Sequence, residues 1–108
     1  MAYNYSFTHE AEKDFDEILH YITDTLDNPS AASAFMKKFE KVISEIRLFP
    51  KCGSLVENEF IALNDIRKIP ISNYVLYYRL KESDECIIVL SIIYGRRNMD
   101  NILKDIDS

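Results

Sequence analysis

The side chains best suited to chemistry in this sequence are cations that stand near tyrosines in its C-terminal half. Between residues 64 and 97 there are six basic residues against four acidic ones, although the whole chain has a formal net charge of −5. The six are Arg67, Lys68, Arg79, Lys81, Arg96 and Arg97. Arginines and tyrosines on adjoining strands are suited to binding a phosphate, a base or an acidic protein surface. The alternative, which the composition favours equally, is that charges at strand ends only keep sheet edges soluble.

Groups that could act as acids, bases or metal ligands are placed less favourably. His9 lies at the start of a predicted helix and His20 within it, and neither has a partner at the spacing of a metal site. There are only two glycines, so no glycine-rich phosphate loop is present, and no nucleophile motif surrounds a serine. We therefore predict no catalytic residue, no metal site and no cofactor.

Acidic residues crowd the first predicted helix. They are Glu10, Glu12, Asp14, Asp16 and Glu17. Their simplest interpretation is a solvated helix face, supported at its first turns by the helix macrodipole. The pattern predicts no pair of these carboxylates in a shared pocket on the core side, where a pKa could be shifted.

Two helices are predicted in the N-terminal half. Alternation of aromatic and polar residues over 2–7 predicts a short strand. Thr8 can cap the helix that follows, in which apolar residues recur at helical spacing over about 9–26. Asn28 can cap a second helix with Pro29 at its first position, and this helix ends at Pro50. Because the break between the helices is short, they form an antiparallel helical hairpin.

Three strands are predicted after the hairpin, over 66–71, 74–80 and 86–94, with a polar turn over 81–85 and a short final helix over about 99–106. Alternation over 74–80 places Val75, Tyr77 and Arg79 on one face of their strand and Tyr74, Leu76, Tyr78 and Leu80 on the other. The last strand is almost wholly apolar, which predicts a central position with both faces buried. The order β-α-α-β-β-β-α predicts an α+β fold, a small and mostly antiparallel sheet packed against the hairpin.

Length and composition indicate a single domain over residues 1–108. The two cysteines, far apart in sequence, fit a reducing compartment better than a disulfide scaffold. The N-terminus lacks the pattern of an export signal, and the longest apolar run is too short to cross a bilayer as a helix. These features predict a cytoplasmic protein that does not enter a membrane.

Four segments carry a resemblance to a known family. They are the helix break at 27–32, IRLFPKCG at 46–53, IRKIPISNYVLYYRL at 66–80 and IIYGRRN at 92–98. The second is similar to the family's I-x-x-L-x-x-x-P-x-x-G segment in slightly altered form, and the fourth to an ending that often reads His-Gly-Arg-Arg-Asp. In this order and spacing the chain resembles the RelE/ParE superfamily of bacterial type II toxin–antitoxin toxins, and its ParE branch most closely.

The resemblance implies a fold and a function. The implied fold is a helical hairpin on a curved antiparallel sheet. ParE-type members poison DNA gyrase, RelE-type members cleave messenger RNA in the ribosome, and both are held inactive in a complex with a partner antitoxin. The residues that we expect to bind the cellular target are Arg67, Lys68, Arg79, Tyr94, Arg96 and Arg97.

Departures from the RelE pattern favour the ParE-like alternative. RelE-like nucleases tend to carry a basic residue where this chain has Val75, and a catalytic Tyr or His near the C-terminus, whereas the predicted final helix has no Tyr. Tyr94 stands where ParE-like members often have histidine. Cations are present, but no convincing base accompanies them, and RNA cleavage needs both. We expect a gyrase-binding toxin without intrinsic catalysis. The alternatives are a ribosome-dependent mRNA endonuclease and a non-toxic, antitoxin-binding module.

Overall fold

The computed structural model describes residues 2–56 and 65–95 of the chain. Its elements are β1 (Asn4–Phe7), α1 (His9–His20), a π-helical turn (Tyr21–Thr25), α2 (Pro29–Leu48), β2 (Ser54–Leu55), β3 (Ile66–Ile71), β4 (Tyr74–Lys81), a 3-10 turn (Glu82–Asp84) and β5 (Cys86–Tyr94). The five strands form one sheet in the order β1-β5-β4-β3-β2, in which β1 pairs with β5 in parallel and the other pairs are antiparallel. The predicted α+β fold is confirmed, whereas the final helix predicted at 99–106 lies outside the described residues.

The hairpin begins and reverses at the predicted caps. The Thr8 hydroxyl accepts a hydrogen bond from the N–H of Ala11 at 3.1 Å, and the Asn28 side chain accepts one from the N–H of Ala31 at 3.1 Å. These bonds satisfy backbone donors that a helix start leaves unpaired. Between the helices the chain turns at Asp27, whose φ of 48° ends the helical path. The predicted break is therefore confirmed.

The apolar stripes of both helices pack on one face of the sheet, which we call the helix side. This core comprises Ala11, Ile18, Ile22, Phe35, Phe39, Ile43, Ile46, Ile71, Leu76, Tyr78, Ile87, Val89 and Ile92. Phe15 and Phe39 contribute an aromatic contact with ring centroids 4.7 Å apart. Burial of this much apolar surface is the main force that holds the hairpin against the sheet.

The opposite face of the sheet, the outer face, has a smaller buried cluster of its own. It comprises Val56, Ile66, Tyr77 and Ile93, with Val75 and Leu90 packed against it. Alternation along β4 separates the two clusters, since Leu76 and Tyr78 face the helices and Val75 and Tyr77 face outward. This alternation was predicted from the sequence and is confirmed.

The last strand has the interior position that its apolar sequence predicts, between β1 and β4. It contributes Val89 to the core on the helix side and Ile93 to the outer cluster, so both of its faces are buried. The pairing shifts register between Tyr77 and Tyr78, which leaves Leu90 as an extra residue in β5. Among the described residues there is no helix of the length and apolarity needed to cross a membrane.

Candidate functional site

Arg67 faces the helix side from β3 and holds the loop that follows α2. Its Nη1 donates hydrogen bonds to the carbonyl oxygens of Gly53, at 2.7 Å, and Lys51, at 3.1 Å. These bonds satisfy backbone acceptors in a loop that joins the helices to the sheet. The guanidinium of Arg67, a predicted target-binding residue, is therefore hydrogen-bonded within the protein.

Tyr78 lies opposite Arg67 in β4 and binds the same loop. Its hydroxyl accepts a hydrogen bond from the N–H of Gly53 at 2.9 Å and donates one to the carbonyl oxygen of Pro50 at 2.8 Å. Burial raises the pKa of Tyr78 above its ordinary value, and the bond from Gly53 opposes this only partly. The hydroxyl therefore stays protonated at neutral pH and is a poor general base.

Lys68 and Arg79 share the outer face. Lys68 is exposed and lies opposite Tyr77, and Arg79 is two residues further along the same strand as Tyr77. The two cations are thus diagonal neighbours, roughly 7–8 Å apart at their Cα atoms. Arg79 also forms a partly exposed salt bridge to Asp65 at 3.1 Å. Of the predicted target-binding residues, these two are brought together.

Tyr94 lies on the helix side at the end of β5, where it pairs with Tyr74. Their ring centroids are 5.6 Å apart in an edge-to-face arrangement. Tyr74 is five residues from Arg79 along β4, which corresponds to about 17 Å. Tyr94 therefore does not share a surface with the cations of the outer face and lines a separate groove between the sheet and the hairpin.

Arg96 and Arg97 lie outside the described residues. The chain leads toward them through Gly95, whose N–H donates to the carbonyl oxygen of Asn73 at 2.9 Å. The expectation that these arginines bind the target stays a prediction.

The prediction that Asp14 lies on a solvated helix face is wrong. Its Oδ2 accepts a hydrogen bond from the N–H of Ile92 at 3.0 Å, and the side chain is half-buried instead of solvated. Burial raises the pKa of Asp14; the bond from Ile92 opposes the rise, and the charges of Glu10 and Glu17 add to it. Asp14 and Glu17 line the same groove, in which Asp14 is half-buried and Glu17 is exposed.

The spacing of Asp14 was the signal that could have revealed this. It lies three residues after Ala11 and four before Ile18, which are both buried in the core. Residues at these spacings share one face of a helix. A carboxylate within an apolar stripe has to meet a hydrogen-bond donor, and here the donor is the backbone of β5. Within the described parts of the chain, no three His, Cys, Asp or Glu side chains are arranged to hold a metal ion.

Solved structures with the same architecture define the fold of this chain. The RelBE2 toxin–antitoxin complex from Mycobacterium tuberculosis matches at 18% identity over 87% of this chain and 99% of that chain, with a TM-score of 0.62. The chromosomal ParDE system from P. aeruginosa matches at 18% identity over 86% and 96%, with a TM-score of 0.63. A mutant of the E. coli toxin RelE in the free state matches at 18% identity over 97% and 96%, with a TM-score of 0.61. The fold is therefore the RelE/ParE-like α+β fold.

The family follows from the sequence itself. The family described as the ParE toxin of type II toxin-antitoxin system, parDE, matches residues 5–99, which is most of the chain. This chain belongs to that family and is a toxin of the RelE/ParE superfamily. No curated protein matches the sequence.

Proposed function

We propose that this toxin arrests growth by binding a topoisomerase, DNA gyrase, and that a cognate antitoxin holds it inactive. The observation that supports target binding over RNA cleavage is that Arg67 and Tyr78 are both hydrogen-bonded within the protein. Cleavage of RNA needs a cation, a base and an acid within reach of one phosphate. In this chain the facing guanidinium and hydroxyl are both bonded to the loop between Pro50 and Gly53.

The outer face supports a binding role by its charge. Lys68 is exposed and Arg79 is half-exposed, and both stand beside the buried ring of Tyr77. Two cations next to an aromatic and aliphatic cluster are suited to binding an acidic patch on a protein. They are equally suited to binding the phosphates of a cleaved DNA strand that such a protein holds. The same face does not present Tyr94, so we assign Lys68 and Arg79 as the first target contacts to test.

An antitoxin partner is supported by exposed apolar side chains. Leu48 and Phe49, at the end of α2, are 61% and 68% exposed, and Tyr3 and Leu80 line the same depression. Contiguous exposed apolar surface on a small protein marks an interaction site. The similar structures from M. tuberculosis and P. aeruginosa are of a toxin–antitoxin complex and a ParDE system, respectively.

The proposal is tested with the purified toxin and gyrase in a supercoiling assay and a cleavage-complex assay. We expect inhibition of supercoiling with accumulation of cleaved DNA, and we expect the Lys68→Gln/Arg79→Gln variant to lose both effects. A matched control is Lys37→Gln/Lys41→Gln, which removes the same charge from exposed positions of α2.

Three outcomes contradict the gyrase proposal. If gyrase is unaffected at large molar excess, the target is wrong. If induction in cells produces new 5′ ends in translated messages by primer extension, the ribosome-dependent nuclease is the correct alternative. If induction leaves growth unchanged, the chain is a non-toxic module that only binds an antitoxin.

A further inference from the structure

A groove of about 700 Å³ separates the end of the helical hairpin from the end of β5. Its volume is within the range of ligand-binding clefts. Apolar side chains from both layers line it, among them Ile18, Ile22, Phe35 and Ile92. Its ionisable side chains are Asp14, Glu17, Tyr21, Lys38, Tyr74 and Tyr94. The groove therefore combines an apolar lining with groups that select for charge.

Aromatic side chains from α2 and from the ends of β4 and β5 line one part of the groove. The ring centroids of Phe35 and Tyr74 are 5.6 Å apart, and those of Tyr74 and Tyr94 are also 5.6 Å apart, both in edge-to-face geometry. Burial raises the pKa of Tyr74, and the neighbouring hydroxyls of Tyr21 and Tyr94 raise it further. The Tyr74 phenol therefore stays protonated at neutral pH, and the rings of Tyr74 and Tyr94 provide electron-rich faces that attract a cation.

The part of the groove that α1 lines is acidic. Asp14 and Glu17 lie three residues apart on α1, so they point to the same face of the helix. Asp14 is held in place by the N–H of Ile92, and repulsion from Glu17 contributes to its raised pKa. Lys38 is the one cation among the described residues that line the groove. Two carboxylates against one amine leave a net negative site that a bound cation stabilises and that a phosphate does not suit.

We propose that this groove binds a segment of the antitoxin that carries an arginine between apolar residues. The guanidinium lies between the Asp14 and Glu17 carboxylates and the rings of Tyr74 and Tyr94, and the flanking apolar side chains cover the lining. Arginine fits better than lysine because its planar group stacks on aromatic rings and binds carboxylates with two hydrogen bonds. The apolar lining favours a peptide over a small free cation, since a peptide brings both chemistries.

The inference rests on the proposed function in one respect, because it takes the antitoxin as the occupant. The probe is a phage-displayed library of random dodecapeptides, selected on the full-length toxin and counter-selected on the Asp14→Asn/Glu17→Gln variant. We expect enriched peptides to share an arginine flanked by apolar residues. A labelled peptide from this selection is then compared with its citrulline twin, which keeps the shape of arginine and lacks the charge.

We expect the citrulline twin to bind about tenfold more weakly in fluorescence anisotropy. The Asp14→Asn/Glu17→Gln variant should bind both peptides equally, while Asp16→Asn should keep the preference. Asp16 is exposed on the same helix and does not line the groove, so it is the matched control for charge. Circular dichroism of each variant checks that the fold is intact.

The inference is overturned if no peptide is enriched, if the enriched peptides lack arginine, or if the citrulline twin binds as well as its parent. Displacement of the selected peptide by a synthetic peptide of residues 96–108 would assign the groove to the chain's own C-terminal segment. Self-association in sedimentation velocity that Asp14→Asn/Glu17→Gln abolishes would assign it to a second copy. None of these measurements involves gyrase, so a wrong target and a wrong groove ligand give different results.

Discussion

The hydroxyl of Tyr78 accepts a hydrogen bond from the backbone N–H of Gly53 at 2.9 Å, from a residue 25 positions away in the sequence. The same hydroxyl donates to Pro50, and Arg67 donates to the carbonyl oxygens of Lys51 and Gly53. One side chain from β3 and one from β4 thus fix the short loop through which α2 connects to the sheet. Polar groups that serve the fold in this way are unavailable to a target.

Tyr78→Phe should destabilise the protein. The change leaves the N–H of Gly53 and the carbonyl oxygen of Pro50 without their partner, and an unsatisfied buried polar group costs about 1–3 kcal/mol. Urea unfolding of the variant should show a loss of this size. Tyr5→Phe, which removes an exposed hydroxyl, should leave the free energy of unfolding within about 0.5 kcal/mol of the wild type. Equal stability of Tyr78→Phe and the wild type would show that the hydroxyl does not hold the loop.

Gly53→Ala should be destabilising for a steric reason. An added Cβ would lie 2.6 Å from the Tyr78 hydroxyl oxygen and 2.9 Å from the carbonyl oxygen of Lys68, so the loop has to move away from the sheet. Overpacking of this kind costs about 1–3 kcal/mol. At Gly95 the nearest atom would be 3.2 Å away, so Gly95→Ala should cost less in the same thermal or urea measurement. The reverse order would contradict the packing described for the loop.

Arg67 and Lys68 are adjacent in sequence and should behave oppositely on substitution. Arg67→Gln should lower the free energy of unfolding by about 1–3 kcal/mol, because two loop carbonyls lose a charged donor. Lys68→Gln should leave it unchanged to within about 0.5 kcal/mol, because its side chain is exposed. In the gyrase assay the order should reverse, with Lys68→Gln losing more inhibition per folded molecule. If folded Arg67→Gln loses more gyrase inhibition than Lys68→Gln, Arg67 contacts the target after all.

Local signals in the sequence predicted the helices and strands well. Thr8 and Asn28 cap the two helices as expected, and the alternation along β4 separates the two clusters as expected. The strand Ser54–Leu55 was missed, because a pairing of two residues is defined by a distant partner and has no periodicity of its own. The parallel pairing of β1 with β5 likewise depends on contacts between the two ends of the chain.

The candidate site was harder to predict, because composition groups residues that the sheet separates. Arg67 and Lys68 alternate to opposite faces, so a count of basic residues does not describe one surface. The run of acidic residues in α1 makes Asp14 equally hard to recognise. It has the same residue type as its solvated neighbours, yet it accepts a hydrogen bond from the backbone of β5. Its spacing from Ala11 and Ile18 places Asp14 on the buried face of α1, and the packing of α1 on β5 provides its hydrogen-bond partner.

Arg96 and Arg97 stay predicted target-binding residues. Arg96→Ala/Arg97→Ala should reduce growth arrest on induction without lowering the thermal midpoint of unfolding. Comparison with the Lys37→Gln/Lys41→Gln variant controls for the loss of two positive charges. Toxicity equal to that of the wild type at equal expression would show that these arginines contribute solubility and no target contact.

Asp14 should make stability depend on pH in a direction opposite to that of most carboxyl groups. Its pKa in the folded protein is raised above the ordinary value of 3.8, chiefly by burial. Between these two values the folded protein binds more protons than the unfolded chain, so the free energy of unfolding falls as the pH rises through this window and is level above it. The groups that act on Asp14 are Glu10, Glu17 and Lys13, and their charges are included in this direction.

Asp14→Asn keeps an acceptor for the N–H of Ile92 and has no carboxyl group to titrate. Urea unfolding at a series of pH values should therefore show the variant gaining stability relative to the wild type as the pH rises from below 3.8 to neutrality. Asp16→Asn, which removes one carboxylate from an exposed position of the same helix, is the control for the loss of charge. A variant Asp14→Asn that gains no stability relative to the wild type would show that burial of Asp14 has no energetic consequence.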